Sequence, residues 1–147
     1  MGTWDWIFVI FAGSVISLSI AYCIYRIIYL PNRYKNFYTK LQTGKELFEL
    51  LNDRDQAIAE KKYYETLLDE IADTIGKLNY CPYDAVSEEL ARYKNNYAAY
   101  LRNVRAISEK IHELNTQIKQ ITANLPKKYM EYKLFYEYYS NRIGGNR

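Results

Sequence analysis

Three patterns of apolar and polar positions run along the chain. From Trp6 to Tyr25 no residue carries a formal charge, and Asp5 and Arg26 bracket the stretch. At about 1.5 Å per residue such a helix spans roughly 30 Å, the thickness of a bilayer's hydrocarbon core. Trp4 and Trp6 stand at one edge, and Tyr22, Tyr25 and Tyr29 at the other, as suits amphipathic rings at a membrane interface. Pro31 is expected to end the helix, because it lacks an N–H and its ring obstructs the preceding turn.

The second pattern begins after Asp84, a candidate N-cap followed by Glu88 and Glu89. Val86, Leu90, Tyr93, Tyr97, Tyr100, Val104, Ile107, Ile111, Leu114, Ile118, Ile121 and Leu125 alternate spacings of four and three without a slip. This is a heptad seam and predicts a long helix committed to one packed face, closed at its far end by Pro126. Residues 34–78 also read as helix. Phe37, Leu41, Phe48, Leu51 and Ile58 keep heptad register, then Tyr64, Leu68, Ile71, Ile75 and Leu78 resume it after a slip, and Gly44 is a weak point. Between these arms, Cys81-Pro82 is a turn signal.

The positions flanking the second seam lack the alternating Glu and Lys that choose partners in a self-pairing coiled coil. Folding the chain about Cys81 instead sets an acidic arm beside a basic one. Asp69 and Glu70 come level with Arg92 and Lys94, Glu60 with Arg102, and Arg54 with Glu109. The expected fold is therefore all-α. A single transmembrane helix occupies residues 1–30, and a long, coiled-coil-like antiparallel hairpin occupies residues 31–125 with its turn at 79–83. A Tyr-rich tail over 126–147 forms a short C-terminal helix ending at Gly144-Gly145.

Two stretches are candidates for interaction. Gly13, Ser17 and Ala21 lie four apart on one face of the apolar helix, and small residues let a neighbouring helix approach closely in lipid. In the tail, Tyr129, Tyr132, Phe135, Tyr136 and Tyr139 lie among Lys127, Lys128 and Arg142. A hairpin's second arm would return this aromatic and basic segment toward the bilayer surface, where it suits headgroups or a neighbouring protein.

Composition adds little that points to catalysis. Twenty Lys and Arg against seventeen Asp and Glu leave a net charge of +3, too small and too mixed to predict a nucleic-acid binder. His112, the single histidine, falls just outside the seam, and Cys23 and Cys81 lie on different segments. No glycine-rich phosphate loop, paired metal-binding histidines or nucleophile elbow is present, so neither an enzyme nor a cofactor or metal is expected. The stretch "IHELNTQIKQITANL", Ile111 to Leu125, resembles the C-terminal helix motif of the LemA family, helical bacterial proteins with an N-terminal membrane anchor. The basic stretch followed by Leu-Ile-Pro-Asn-Leu of that family is missing here, and no functional residue carries over.

Arg26, Arg33, Lys35, Lys40 and Lys45 follow the apolar run, whereas no Lys or Arg precedes it. The N-terminus is thus expected outside and the hairpin in the cytoplasm or mitochondrial matrix. The same asymmetry argues against a signal peptide cleaved after Ala21. These features predict a non-catalytic accessory subunit of a larger membrane complex, with a respiratory or ATP-synthase assembly of the mitochondrial inner membrane as a compatible host. Its partners would be the bilayer and neighbouring subunits. The alternative is a bacterial membrane scaffold or adaptor, a homo-oligomer whose seams pair between copies.

Overall fold

A computed structural model of the chain describes residues 2–80 and 86–144, with side chains through Asn141. Among these residues the regular structure is helical: α1 (Thr3–Ile24), a π-helical turn (Tyr25–Tyr29), α2 (Leu30–Lys40), α3 (Gln42–Asn79), α4 (Val86–Ala123), a 3₁₀ turn (Lys127–Tyr129) and α5 (Tyr132–Gly144). The all-α expectation holds, with an apolar N-terminal helix, a long helix pair and a short C-terminal helix. Cys81, Pro82, Asp84 and Gly145, which carried the expected turn, cap and tail end, lie outside the described residues.

The chain divides into two compact units. An anchor unit comprises residues 1–46 and 125–147, and a hairpin unit comprises residues 47–124. The tail and the segment after the apolar run, which the sequence separates, thus belong to one body.

In the anchor unit the helix does not end at Pro31. Thr3–Lys40 forms one continuous helical rod, long and apolar enough to cross a membrane. Continuity comes from the π turn: the Leu30 N–H donates to the Tyr25 carbonyl, five residues back. In α-helical spacing the Pro31 ring would collide with the carbonyl of Ile27, and one widened turn relieves that conflict without breaking the rod. The break comes later, at Leu41, where the backbone is extended (φ −85°, ψ 133°) before α3 begins.

In the hairpin unit, every seam residue of α4 from Val86 to Ile121 is sheltered, with Ile107, Leu114 and Ile118 the most buried. Tyr64 of α3 meets Tyr100 of α4 at a centroid distance of 5.7 Å. Leu50, Tyr64 and Ile111 pack on the cluster of Ala57, Ile107 and Leu114. Positions that ascend on α3 therefore descend on α4, so the pair is antiparallel.

The slip expected in α3 is not there. Leu47, Leu50, Arg54, Ala57, Lys61, Tyr64, Leu68, Ile71, Ile75 and Leu78 are all sheltered and alternate spacings of three and four without interruption. Ala57 is 2 % exposed, while its larger neighbour Ile58 is 46 % exposed. Arg54 and Lys61 hide the seam in the sequence because their stems, not their charges, fill it.

None of the expected cross-arm ion pairs is found among the described residues. Arg54 lies 3.8 Å from Asp55, Lys61 3.9 Å from Glu65, Lys77 2.9 Å from Asp73 and Arg92 3.9 Å from Glu89, all within single helices. Apolar burial sets the alignment, and exposed charges take the nearest partner because such pairs contribute little in water.

Arg54 yields a prediction. Its Nε is shut off from solvent without a hydrogen-bond partner, and such an orphan costs about 1–3 kcal/mol. Arg54→Leu, which fills the seam and removes the orphan, should raise the denaturant midpoint of the hairpin, followed by helical circular dichroism. A lowered midpoint would mean that the guanidinium stabilises the pair through its charge.

Candidate functional site

The residues with most tertiary organisation in the anchor unit lie where the tail meets α2. In α2, Leu30, Tyr34, Phe37 and Tyr38 are buried; their spacing of four, three and one places them on a single helix face. The tail answers with Tyr129 from the 3₁₀ turn and Phe135 and Tyr136 from α5, all buried. Tyr34 stacks on Phe135 with centroids 4.4 Å apart and planes 9° from parallel. Phe37 stacks on Tyr129 at 4.2 Å and 22°. Tyr34 also meets Phe37 and Tyr129 edge-on at 6.3 and 5.9 Å.

Hydroxyl groups lock this cluster to the backbone. Tyr34 Oη donates to the Lys128 carbonyl at 3.3 Å and accepts from the Glu131 N–H at 2.9 Å. Tyr38 Oη donates to the Tyr132 carbonyl at 2.6 Å, and Tyr139 Oη to the Pro31 carbonyl at 2.7 Å. A buried phenol needs such a partner, and here the partners are peptide groups of the opposing segment. Arg26 closes the contact: its Nη1 reaches both carboxylate oxygens of Glu131, at 2.8 and 2.7 Å.

That ion pair changes where the apolar surface ends. With Arg26 paired to Glu131, exposed apolar side chains continue through Ile27 and Ile28 to Tyr29, one turn past the charge-free stretch and within the anchor expected over residues 1–30.

Burial pushes the Tyr38 phenol far above its usual pKa of 10, and it pushes Tyr34 up as well. Above pH 10 both phenols therefore ionise less readily in the folded than in the unfolded chain, Tyr38 by the wider margin. Their neutral-form stabilisation is therefore complete below pH 10 and falls as pH rises through and above that value. Thermal melts of the detergent-solubilised chain should show a drop between pH 9 and 11, and Tyr38→Phe should reduce that drop. An equal drop in the variant would assign it to other groups.

The sequence-chosen residues fall into two sets. Gly13, Ser17 and Ala21 are exposed on α1, none of whose residues is buried. A Cβ added at Gly13 would meet nothing within 4 Å, and Ser17 Oγ donates to the Gly13 carbonyl at 2.8 Å. Among the described residues, no burial of α1 accounts for these small residues. In the tail, Tyr129, Phe135 and Tyr136 turn inward, and Tyr132 and Tyr139 are half-buried. The tail's outward row is instead Met130, Leu134 and Tyr138. The partners missed in the sequence were Tyr34 and Tyr38. Their spacing with Leu30 was a usable signal, overlooked because the heptad pattern claimed Phe37 and Leu41.

His112 is exposed, Cys23 is a free thiol on α1, and among the described residues no group of three or more His, Cys, Asp or Glu is placed to hold a metal. A groove of about 510 Å³ lies beside the cluster, lined by Tyr29, Asn32, Arg33, Asn36, Phe37, Lys40, Leu41 and Tyr129. Arg33 stands over the rings of Tyr29 and Tyr25, 4.9 and 5.9 Å from their centroids.

No family model, curated protein or solved structure matches the chain, and the resemblance of Ile111–Leu125 to the LemA helix gains no support from these comparisons.

Proposed function

We propose that this chain is a non-catalytic structural subunit of a larger membrane assembly, anchored by α1 and holding neighbours through its membrane face and tail. The observation that carries the reading is a contrast between its surfaces. The heptad seam of the hairpin is filled within one chain, whereas α1 buries none of its residues and leaves Gly13, Ser17 and Ala21 exposed, with open space around Gly13. What remains unsatisfied is the surface a membrane and a second helix would cover. Met130, Leu134 and Tyr138 add an outward apolar row on the tail.

The charge bias favours a spanning orientation with α1's N-terminus outside and the rest inside. Asp5 is the one charge before the apolar run, and the anchor unit as a whole has ten Lys and Arg against four Asp and Glu. The mitochondrial inner membrane, with a respiratory or ATP-synthase complex as host, is the compartment we favour over a bacterial inner membrane.

The test is the size and composition of the native particle after gentle detergent extraction, with co-migrating proteins identified by mass spectrometry. A large particle with a fixed set of other subunits, lost on Gly13→Ile combined with Ala21→Ile, supports the reading. A particle containing only copies of this chain sinks it in favour of a self-associating scaffold.

A further inference from the structure

The groove beside the aromatic cluster is chemically one-sided. Its polar lining comes from Asn32, Arg33, Asn36 and Lys40, with the rings of Tyr29 and Tyr129 at its rim and no acidic residue among those that form it. Neither Arg33 nor Lys40 makes an ion pair among the described residues. Arg33 is instead held over Tyr29 and Tyr25 and hydrogen-bonded to both phenols, which fixes a guanidinium whose five N–H donors outnumber those two partners. Two cations and two amides line an open groove of about 510 Å³, the side-chain chemistry that suits a phosphate-bearing group.

Position along the rod chooses the kind of phosphate. Exposed apolar side chains run to Tyr29, and Arg33 lies one helical turn beyond it, roughly 6 Å further along the axis. Headgroups occupy a layer roughly 5–8 Å deep outside the hydrocarbon core, so Arg33 reaches phosphate depth and Lys40 can bend back toward it. The surrounding charge has the right sign: the anchor unit carries a net +6, whereas the hairpin unit, with ten basic and thirteen acidic residues, carries −3.

We infer that the groove formed by Tyr29, Asn32, Arg33, Asn36, Lys40 and Tyr129 binds the headgroup of an anionic phospholipid from the leaflet it faces. The inference rests on α1 spanning the membrane. Arg33 and Lys40 hold the phosphate, the Asn32 and Asn36 amides hydrogen-bond the headgroup hydroxyl or glycerol ester oxygens, and the Tyr rings seat at the interface. A lipid so bound would tether the cluster to the bilayer surface.

The experiment uses the full chain reconstituted in vesicles of equal phosphatidylglycerol and phosphatidylcholine. Flotation after alkaline washing first establishes insertion. Native mass spectrometry after detergent extraction then counts each retained lipid, with and without 10-fold molar excess of inorganic phosphate over lipid (about one decade of competition). The expected result is retention of phosphatidylglycerol over phosphatidylcholine by at least about fivefold, unaffected by free phosphate. Arg33→Gln with Lys40→Gln should abolish that preference with near-ultraviolet circular dichroism unchanged, while Lys110→Gln with Lys119→Gln in α4 should retain it.

Insertion with equal retention of the two lipids, or a preference that survives loss of Arg33 and Lys40, would overturn the lipid site and leave the anchor reading standing. Displacement by inorganic phosphate would replace the lipid with a soluble anion. Failure to float would remove the anchor, and the lipid site with it.

Discussion

Tyr34→Ala is expected to release the tail from α2. Tyr34 is 1 % exposed, stacks on Phe135, meets Phe37 and Tyr129 edge-on, and exchanges hydrogen bonds with Lys128 and Glu131. Truncating a buried aromatic of this kind costs about 3–5 kcal/mol through lost transfer energy and the cavity left behind. Tyr34→Phe separates packing from hydrogen bonding. It keeps the rings in place but leaves the Glu131 N–H without its acceptor, a smaller loss of about 1–3 kcal/mol.

Amide hydrogen exchange of the detergent-solubilised chain reads both variants. Protection in α5 should collapse in Tyr34→Ala and weaken in Tyr34→Phe, while α4 keeps its protection because its seam is filled by α3. Loss of protection in α4 to the same degree would contradict the division into two units.

Gly44→Ala is the second large effect, and its sign runs against helix propensity. Alanine in a helix interior is favoured over glycine by about 1 kcal/mol. Here a Cβ at Gly44 would overlap the carbonyl oxygen of Phe37 and come within 3.1 Å of the Phe37 ring. The obstacle is backbone in α2, which cannot swing aside like a side-chain tip. Relief requires the first turn of α3 to move away from α2, and such overpacking costs about 1–3 kcal/mol or more. Because Phe37 stacks on Tyr129, that displacement reaches the aromatic cluster. A lower melting temperature with reduced near-ultraviolet tyrosine signal is expected. A raised melting temperature would show that propensity wins and that the approach relaxes freely.

These substitutions also separate what could be read in the chain from what could not. Tyr34 sits in a segment whose heptad pattern marks the start of a hairpin arm; its spacing with Leu30 signals a buried face, but nothing local names Phe135, far away in the chain, as what covers it. Gly44 registered as a weak point in a helix. Only the approach of Phe37 shows it to be a packing requirement at the Leu41 break.

The sequence by itself determined the helices and pointed to an antiparallel pair, with pairing between copies left open. Charge-free length sets the apolar rod, and a strict four-three alternation commits one face of α4 to burial. Those are local periodicities, and backbone hydrogen bonding with apolar burial enforces them wherever they occur. Tertiary structure decided which side chains share an interior. It put Ala57 inside and Ile58 outside because α3 follows one continuous seam, admitting Arg54 and Lys61 by their stems. It carried the rod through Pro31 by a π turn and turned Tyr129, Phe135 and Tyr136 inward onto α2. An aromatic ring suits a lipid surface, a partner or a core equally well by composition. What it packs against depends on distant residues brought to the same place by folding, and a single sequence does not encode that locally.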